Sequence, residues 1–414
     1  MADTTTWLGL LQIICTIHLC TGSSGSEPSL SKRNVTSTFN EGCNMTFCLK
    51  PNGSSYINLF HVTAKGENDT IHFLWSSYGA LTGIVVRTTN DASLRIDWKM
   101  MEKKEIMKEQ NAIRFLPKDS VLFSSAVIFS RLIDFNDTDD TASLSKATAM
   151  NVRLFENLSW DNFNLTIDHK KHQGRFVSPS LGNLSLMVQS FEDEGRGSLL
   201  PRLRHTSNSS YFEFALKNIS TAYKQPRFAV EVILVGGDKQ QNGTSFSISR
   251  SIADQYTPSV FYVDNINFAN SNSSQGGYMS WKPVAYTEEE RHLANGRMVH
   301  QYGLNTTSVG YVPSYSIAHA FYGNLSQLNL SSMNVSFGND GDGYYAASNY
   351  LVWGGLIGYG EAPLDGLSML ILIIISAGLG LPALLILGGG SIICLKKLAK
   401  KRNYDKLMVD PGVN

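Results

Sequence analysis

Cysteine is almost missing from this chain, with five residues in 414. Cys15 and Cys20 lie in an N-terminal apolar segment and Cys394 in a C-terminal one, which leaves Cys43 and Cys48 for everything between. That excludes the disulfide framework by which small secreted domains are held together. The short loop between the two allows a bridge without requiring one, and two ligands are too few for a metal centre. A core must therefore hold by packing, as one large domain or as two of ordinary size. An excess of either charge is missing too. Lys plus Arg and Asp plus Glu number 35 each, so nothing draws the chain to nucleic acid by counterion release.

Motifs of catalysis are likewise absent. There is no G-x-S-x-G nucleophile turn, no H-E-x-x-H zinc helix and no phosphate-binding glycine loop ahead of a helix. His169 and His172 stand in DHKKHQ, where Lys170 and Lys171 would repel a cation, and the setting reads as an exposed loop. Asp134 to Asp140 (DFNDTDD) and Asn339 to Gly343 (NDGDG) resemble pieces of calcium loops but lack the full ligand series, so they read as turns. Glu288, Glu289 and Glu290 beside Arg291 read as a solvated turn. A glycosidase carboxylate pair is a property of the fold and is invisible at this level. The chain reads as a non-enzyme, with no catalytic, cofactor-binding or metal residue assigned.

Two apolar segments are present. Trp7 to Leu19 followed by CTGSSGS has the layout of a signal peptide spanning residues 1–24, although Asp3 replaces the usual basic start. Gly366 to Leu395 carries no charge and exceeds the ~20 residues that cross a bilayer core. Lys396, Lys397, Lys400, Lys401 and Arg402 follow it, while Glu361 and Asp365 precede it. The positive-inside rule then puts the tail, 396–414, in the cytosol and residues 25–365 in the lumen, a type I arrangement. The basic run is suited to anionic membrane lipid. Pro382 and glycines 378, 380 and 388–390 would let a second helix approach closely.

Sixteen N-glycosylation sequons fall before that segment and none after it, at Asn34, Asn44, Asn52, Asn68, Asn136, Asn157, Asn164, Asn183, Asn208, Asn218, Asn242, Asn272, Asn305, Asn324, Asn329 and Asn334. A run this dense on one side of a membrane marks a sugar-coated domain. The coat serves folding and solubility, or shields backbone from proteases. In the tail, Tyr404 and Leu407 form a Tyr-x-x-bulky pattern of the kind clathrin adaptors bind as an extended strand, which points to lysosomal sorting.

Apolar residues alternate with period two at Leu94, Ile96, Trp98 and Met100, at Leu184, Leu186 and Val188, at Phe212, Phe214 and Leu216, and from Phe228 to Val235. Ser124 to Ile133 and Ser259 to Phe268 read as strands buried on both faces, and only Glu102 to Gln110 reads as helical. The expected fold is mainly β, with antiparallel sheets packed as sandwiches and one C-terminal transmembrane helix. A boundary between two units is expected near 192–204, where charge, Gly and Pro mix.

Several long strings, HFLWSSYGAL (72–81), FLPKDSVLFSSAVIFSRLIDF (115–135), PRLRHT (201–206), DQYTPSVFYVDNI (254–266), SWKPVAY (280–286) and PLDGLS (363–368), resemble the glycosylated lysosomal membrane protein family. The resemblance implies residence in the lysosomal membrane. It further implies the role of an accessory subunit to a lysosomal dipeptide transporter of the major facilitator superfamily, stabilised and shielded from proteases by its glycosylated partner. The glycine-rich helix and aromatic residues such as Tyr344 and Tyr345 are candidates for that contact by type alone. Self-association is left open. A self-sufficient coat glycoprotein is the alternative, and a hydrolase or receptor would need a concave pocket with convergent polar groups.

Overall fold

A computed structural model describes residues 32–48, 57–103, 111–160, 162–168, 171–239, 243–257, 260–269, 276–364 and 369–407. The signal peptide region and the end of the tail lie outside these. In chain order the strands are β1 (Asn34–Phe39), β2 (Leu59–Lys65), β3 (Thr70–Ser76), β4 (Thr82–Thr88), β5 (Ser93–Ile96), β6 (Ile113–Leu116), β7 (Val121–Asn136), β8 (Ala149–Leu154), β9 (Asn162–Asp168), β10 (Lys171–Ser178) and β11 (Asn183–Phe191). There follow β12 (Gly195–Arg196), β13 (Arg204–His205), β14 (Ser209–Lys217), β15 (Pro226–Lys239), β16 (Ser245–Thr257), β17 (Val260–Ala269), β18 (Gly277–Trp281), β19 (Val284–Tyr286), β20 (Gly296–Gln301), β21 (Leu328–Phe337) and β22 (Tyr350–Tyr359). Helices are short, α1 (Trp98–Glu102) and α2 (Ile317–Tyr322), until the C-terminal α3 (Met369–Leu407).

Antiparallel pairing arranges the strands in two facing sheets, as the alternation predicts. The first runs β1, β2, β3, β4, β7, β15, β21, β20, with β8 taking over from β4 along the second half of β7. The second runs β9, β10, β11, β14, β22, β18, β17, β16. On one side β19 joins them, pairing with both β20 and β22. On the other, Ser37 of β1 lies 2.9 Å from His172 of β10, so the sandwich is nearly closed.

Apolar side chains of the two inner faces interlock. Phe129 of β7 meets Phe212 and Phe214 of β14, Trp75 of β3 meets Phe212 and donates to Ser210 at 2.9 Å, and Phe337 of β21 meets Trp353 of β22. Leu184, Leu186 and Val188 are wholly buried on the inner face of β11. Truncating one of these rings, as in Phe212→Ala, removes burial and opens a cavity, a cost of about 3–5 kcal/mol. The mixed-charge segment 192–204 holds the small β12–β13 pair and connects β11 to its sheet neighbour β14.

Two readings need correction. The alternation through Trp98 and Met100 does not continue the strand, because Asp97 caps a helical turn there, accepting from the Met100 N–H at 3.0 Å. Alternation over so few residues cannot separate a strand from a capped turn. The described helical turn ends at Glu102 with Lys103 as its C-cap, and residues 104–110 of the stretch read as helical from 102 to 110 lie outside the described ones. His172 is also not in a loop. It is a buried residue of β10, held by Ser37, while His169 lies outside the described residues.

Candidate functional site

The two acidic segments that looked like fragments of calcium loops come together, and the cation between them is an arginine. Arg227, at the start of β15, places Nε 2.6 Å from Asp137 and Nη2 2.8 Å from Asp342, and also pairs with Asp140. Asp342 in turn meets Arg297 at 2.9 Å. Asp137 and Arg227 are almost fully buried, where a lone charge would be very costly. The backbone N–H groups of Thr141 and Ala142 and the Arg227 guanidinium hold the Asp137 carboxyl below its ordinary range against the opposing effect of burial. Among the described residues no group of three or more His, Cys, Asp or Glu is arranged for a metal ion. The arrangement clamps loops 137–142 and 339–343 to the sandwich.

A second buried polar group lies in the first sheet. His61 Nε2 is 3.0 Å from His72 Nδ1, and His72 Nε2 is 3.1 Å from Thr88 Oγ1. Because the Thr88 hydroxyl donates to the Thr89 carbonyl at 3.0 Å, it accepts from His72, which leaves His72 Nδ1 as a bare acceptor facing the His61 N–H. Burial and the adjacent His61 push the His72 imidazole down to about 3. Burial drives His319 down to about 4, against the opposing charge of Glu156. Ser316, fully buried, caps α2 by accepting from Ala318 N, and its hydroxyl also lies 3.1 Å from His319 Nδ1. Sequence reasoning missed both clusters. The residue types were visible, but the strand register that joins them was not.

The sequons sort by exposure. Asn34, Asn44, Asn68, Asn157, Asn183, Asn218, Asn305 and Asn324 are exposed. They cover both ends of the sandwich, with Asn68 in the β2–β3 turn at one end and Asn183 and Asn218 side by side at the other, where β11 begins and β14 finishes. Asn136, Asn208, Asn329 and Asn334 are half-buried. Asn208 Oδ1 accepts from Arg33 at 2.6 Å, and Asn329 donates its amide to Thr244 O at 3.0 Å. Asn334 sits within the ladder of β21, and its buried Oδ1 has no partner among the described residues. Asn52, Asn242 and Asn272, and the side chain of Asn164, lie outside the described residues. Glycopeptide mapping of the purified protein is expected to find carbohydrate at the eight exposed positions and an unmodified Asn334. A glycan on Asn334 would require its half-buried amide, with Oδ1 enclosed, to be uncovered first.

Cys43 and Cys48 are joined in a disulfide. Of the two tyrosines named by type, Tyr345 is a core residue that accepts from Ile219 N and donates to Asn349 O, whereas Tyr344 is half-exposed beside Arg227. The helix α3 holds 39 residues, about 58 Å at 1.5 Å per residue, and its stretch Ile373–Tyr404 is apolar enough to cross a membrane. Its described side chains are exposed, and glycines 378, 380 and 388–390 have nothing within 4 Å of an added Cβ. Tyr404 lies in the last turns of this helix, exposed; the side chain of Leu407 lies outside the described residues.

A nearly closed β-sandwich studded with sequons and followed by one long apolar helix defines a membrane glycoprotein. The chain belongs to the glycosylated lysosomal membrane protein family, whose sequence profile matches residues 58–400. It is 29% identical to Glycosylated lysosomal membrane protein B of Xenopus laevis over 406 residues, covering 94% of this chain and 96% of the relative. The Homo sapiens and Mus musculus proteins named Glycosylated lysosomal membrane protein are 32% and 33% identical over 351 residues, 82% of this chain and 84% of each relative. These relatives are named as membrane glycoproteins and not as enzymes.

Proposed function

We propose that this chain is a non-enzymatic accessory subunit of a lysosomal multi-pass transporter of the major facilitator superfamily, one that carries dipeptides. In this reading the sandwich lies in the lumen and shields the transporter from lysosomal proteases. The observation that carries it is the state of α3, a long apolar helix whose glycines meet no other element among the described residues. Small residues of this kind allow close backbone approach of a neighbouring membrane helix. The exposed sequons at both ends of the sandwich support the shielding part, since a glycan shell held over bare loops would keep proteases from cleavable backbone.

Purification of the tagged chain from lysosomes in mild detergent, followed by mass spectrometry, tests the reading. It expects one multi-pass transporter in near-equal amount, and loss of that transporter when this chain is removed. Recovery of the chain alone would favour a self-sufficient coat glycoprotein, a reading that the completeness of the sandwich core within one chain supports.

Sorting is tested at one residue. Tyr404→Ala is expected to redirect most of the protein to the cell surface, measured by surface biotinylation. Adaptor binding of Tyr404 and Leu407 in an extended form requires the last helical turns to unwind, and helix ends open readily. Unchanged lysosomal residence would mean that a partner carries the chain there.

A further inference from the structure

A roofed groove crosses the outer face of the second sheet. Register aligns its floor in two rows, Arg175, Met187 and Glu213 in one and Gln173, Gln189, Tyr211 and Leu356 in the other. Directly paired residues share a face and stand about 5 Å apart from strand to strand. The roof is the segment 193–205 that carries β12 and β13. Three ties hold it down. Arg291 donates to Leu200 O at 2.7 Å, Arg204 donates to Leu364 O at 2.9 Å, and Leu203 packs with Tyr278 and Leu356. The space between is about 540 Å³, within the range of small-molecule sites, and is more apolar than polar in its lining.

The charges in and around the groove are not balanced in the same way. Glu213, only 8% exposed, is neutralised by Arg291 at 2.5 Å and accepts from the Tyr211 hydroxyl at 3.0 Å. In the roof, Glu194 pairs with Arg204 and Asp193 faces Lys32 at 3.8 Å. Arg175 is exposed at the lip, and its guanidinium makes no hydrogen bond or ion pair among the described residues. The acid that senses its charge, Glu289, is engaged by Lys217 at 3.0 Å. An amine entering the groove would therefore find its carboxylates already matched, whereas an anion would find a guanidinium with free donors.

We propose that this groove binds a small amphipathic carboxylate. Its charged group would sit on Arg175, with the Gln173 and Gln189 amides beside it, and its apolar body along Met187, Leu199 and Leu203. Leu199 is 65% exposed at the rim and would be covered by such a ligand.

The test is calorimetric titration of the full-length chain in detergent, without any partner, using 4-phenylbutyrate and, as the sign-reversed probe, 4-phenylbutylamine. Saturable binding of the carboxylate and none of the amine is expected. Arg175→Ala is expected to weaken carboxylate binding at least about ten-fold, as loss of a charge-assisted contact does, and Arg175→Lys to weaken it less. Arg175 is exposed, and near-UV circular dichroism confirms that each variant is folded. No saturable binding of the carboxylate, equal binding of the amine, or undiminished binding by folded Arg175→Ala would each overturn the proposal. The readout is a ligand on the isolated chain, so its failure would leave the accessory-subunit reading untouched.

Discussion

Arg227→Met is expected to destabilise the protein by about 3–5 kcal/mol, the usual result of removing one partner from a buried ion pair. Methionine fills much of the same volume, so the loss is of charge and hydrogen bonds more than of packing. It leaves Asp137, which is almost fully buried, and Asp140 and Asp342 without the guanidinium that joins them. Against a typical total of about 5–15 kcal/mol, such a loss would deplete the folded protein. Thermal and urea unfolding of the purified full-length chain measure it. Two accompanying results would identify the cause as unpaired charge. Adding Asp137→Asn and Asp342→Asn should recover part of the stability. The deficit should also shrink as pH falls through the carboxylate range, because the stranded acids can then take up protons. Asp137, held low against burial by the Ala142 and Thr141 N–H groups and by Arg227 in the native protein, stabilises the fold above its unfolded value and loses that contribution as pH falls through its folded value. A deficit under about 1 kcal/mol would show that the cluster is solvated in solution.

The second large effect is a dependence on acid. His72 titrates near 3 in the folded chain, against an ordinary value of 6.5. Its folded value is depressed, so the unfolded chain binds a proton that the folded chain refuses once pH drops below 6.5. Stability should then fall by up to about 1.4 kcal/mol per pH unit until the folded value is reached. His319, held near 4, adds a similar slope over a narrower range. His72→Gln keeps an acceptor toward His61 and a donor toward Thr88 but cannot titrate. Two units below 6.5 it should be less acid-sensitive than the native protein by about 2.7 kcal/mol. Chemical denaturation at matched pH values measures the difference. Identical slopes for the two proteins would mean that His72 takes up a proton within the fold. If the sandwich lies in an acidic lumen, as proposed above, this slope would be a standing cost to its stability there.

Much of the fold was legible in the sequence because a sandwich strand writes its faces with period two. Leu184, Leu186 and Val188, and Phe212 and Phe214, point inward as their spacing predicts, and β7 is largely buried on both sides as its dense apolar run implies. The apolar helix was legible from composition. What stayed hidden depends on register, which no local pattern carries. Asp137 and Asp342 are two hundred residues apart and meet only because β15 lies beside both β7 and β21. The outward polar residue Gln189 reads as solvent-facing, yet it is buried under the segment 193–205, a cover supplied from outside its strand. Trp98 and Met100 misled because a single capping aspartate outweighed a four-residue alternation.

The position of β22 also sets the order in which this molecule can be made. It is the last strand among the described residues, yet it lies in the interior of the second sheet, touching β14 on one side and β18 and β19 on the other. Until residue 359 has emerged from the ribosome, β14 and β18 each lack a neighbour and their inner aromatic faces stay open. The sandwich therefore closes only when synthesis has reached the edge of the apolar helix, and the growing chain must be kept from aggregating through most of its translation. Truncations that stop short of β22 should yield insoluble material rather than a smaller folded domain.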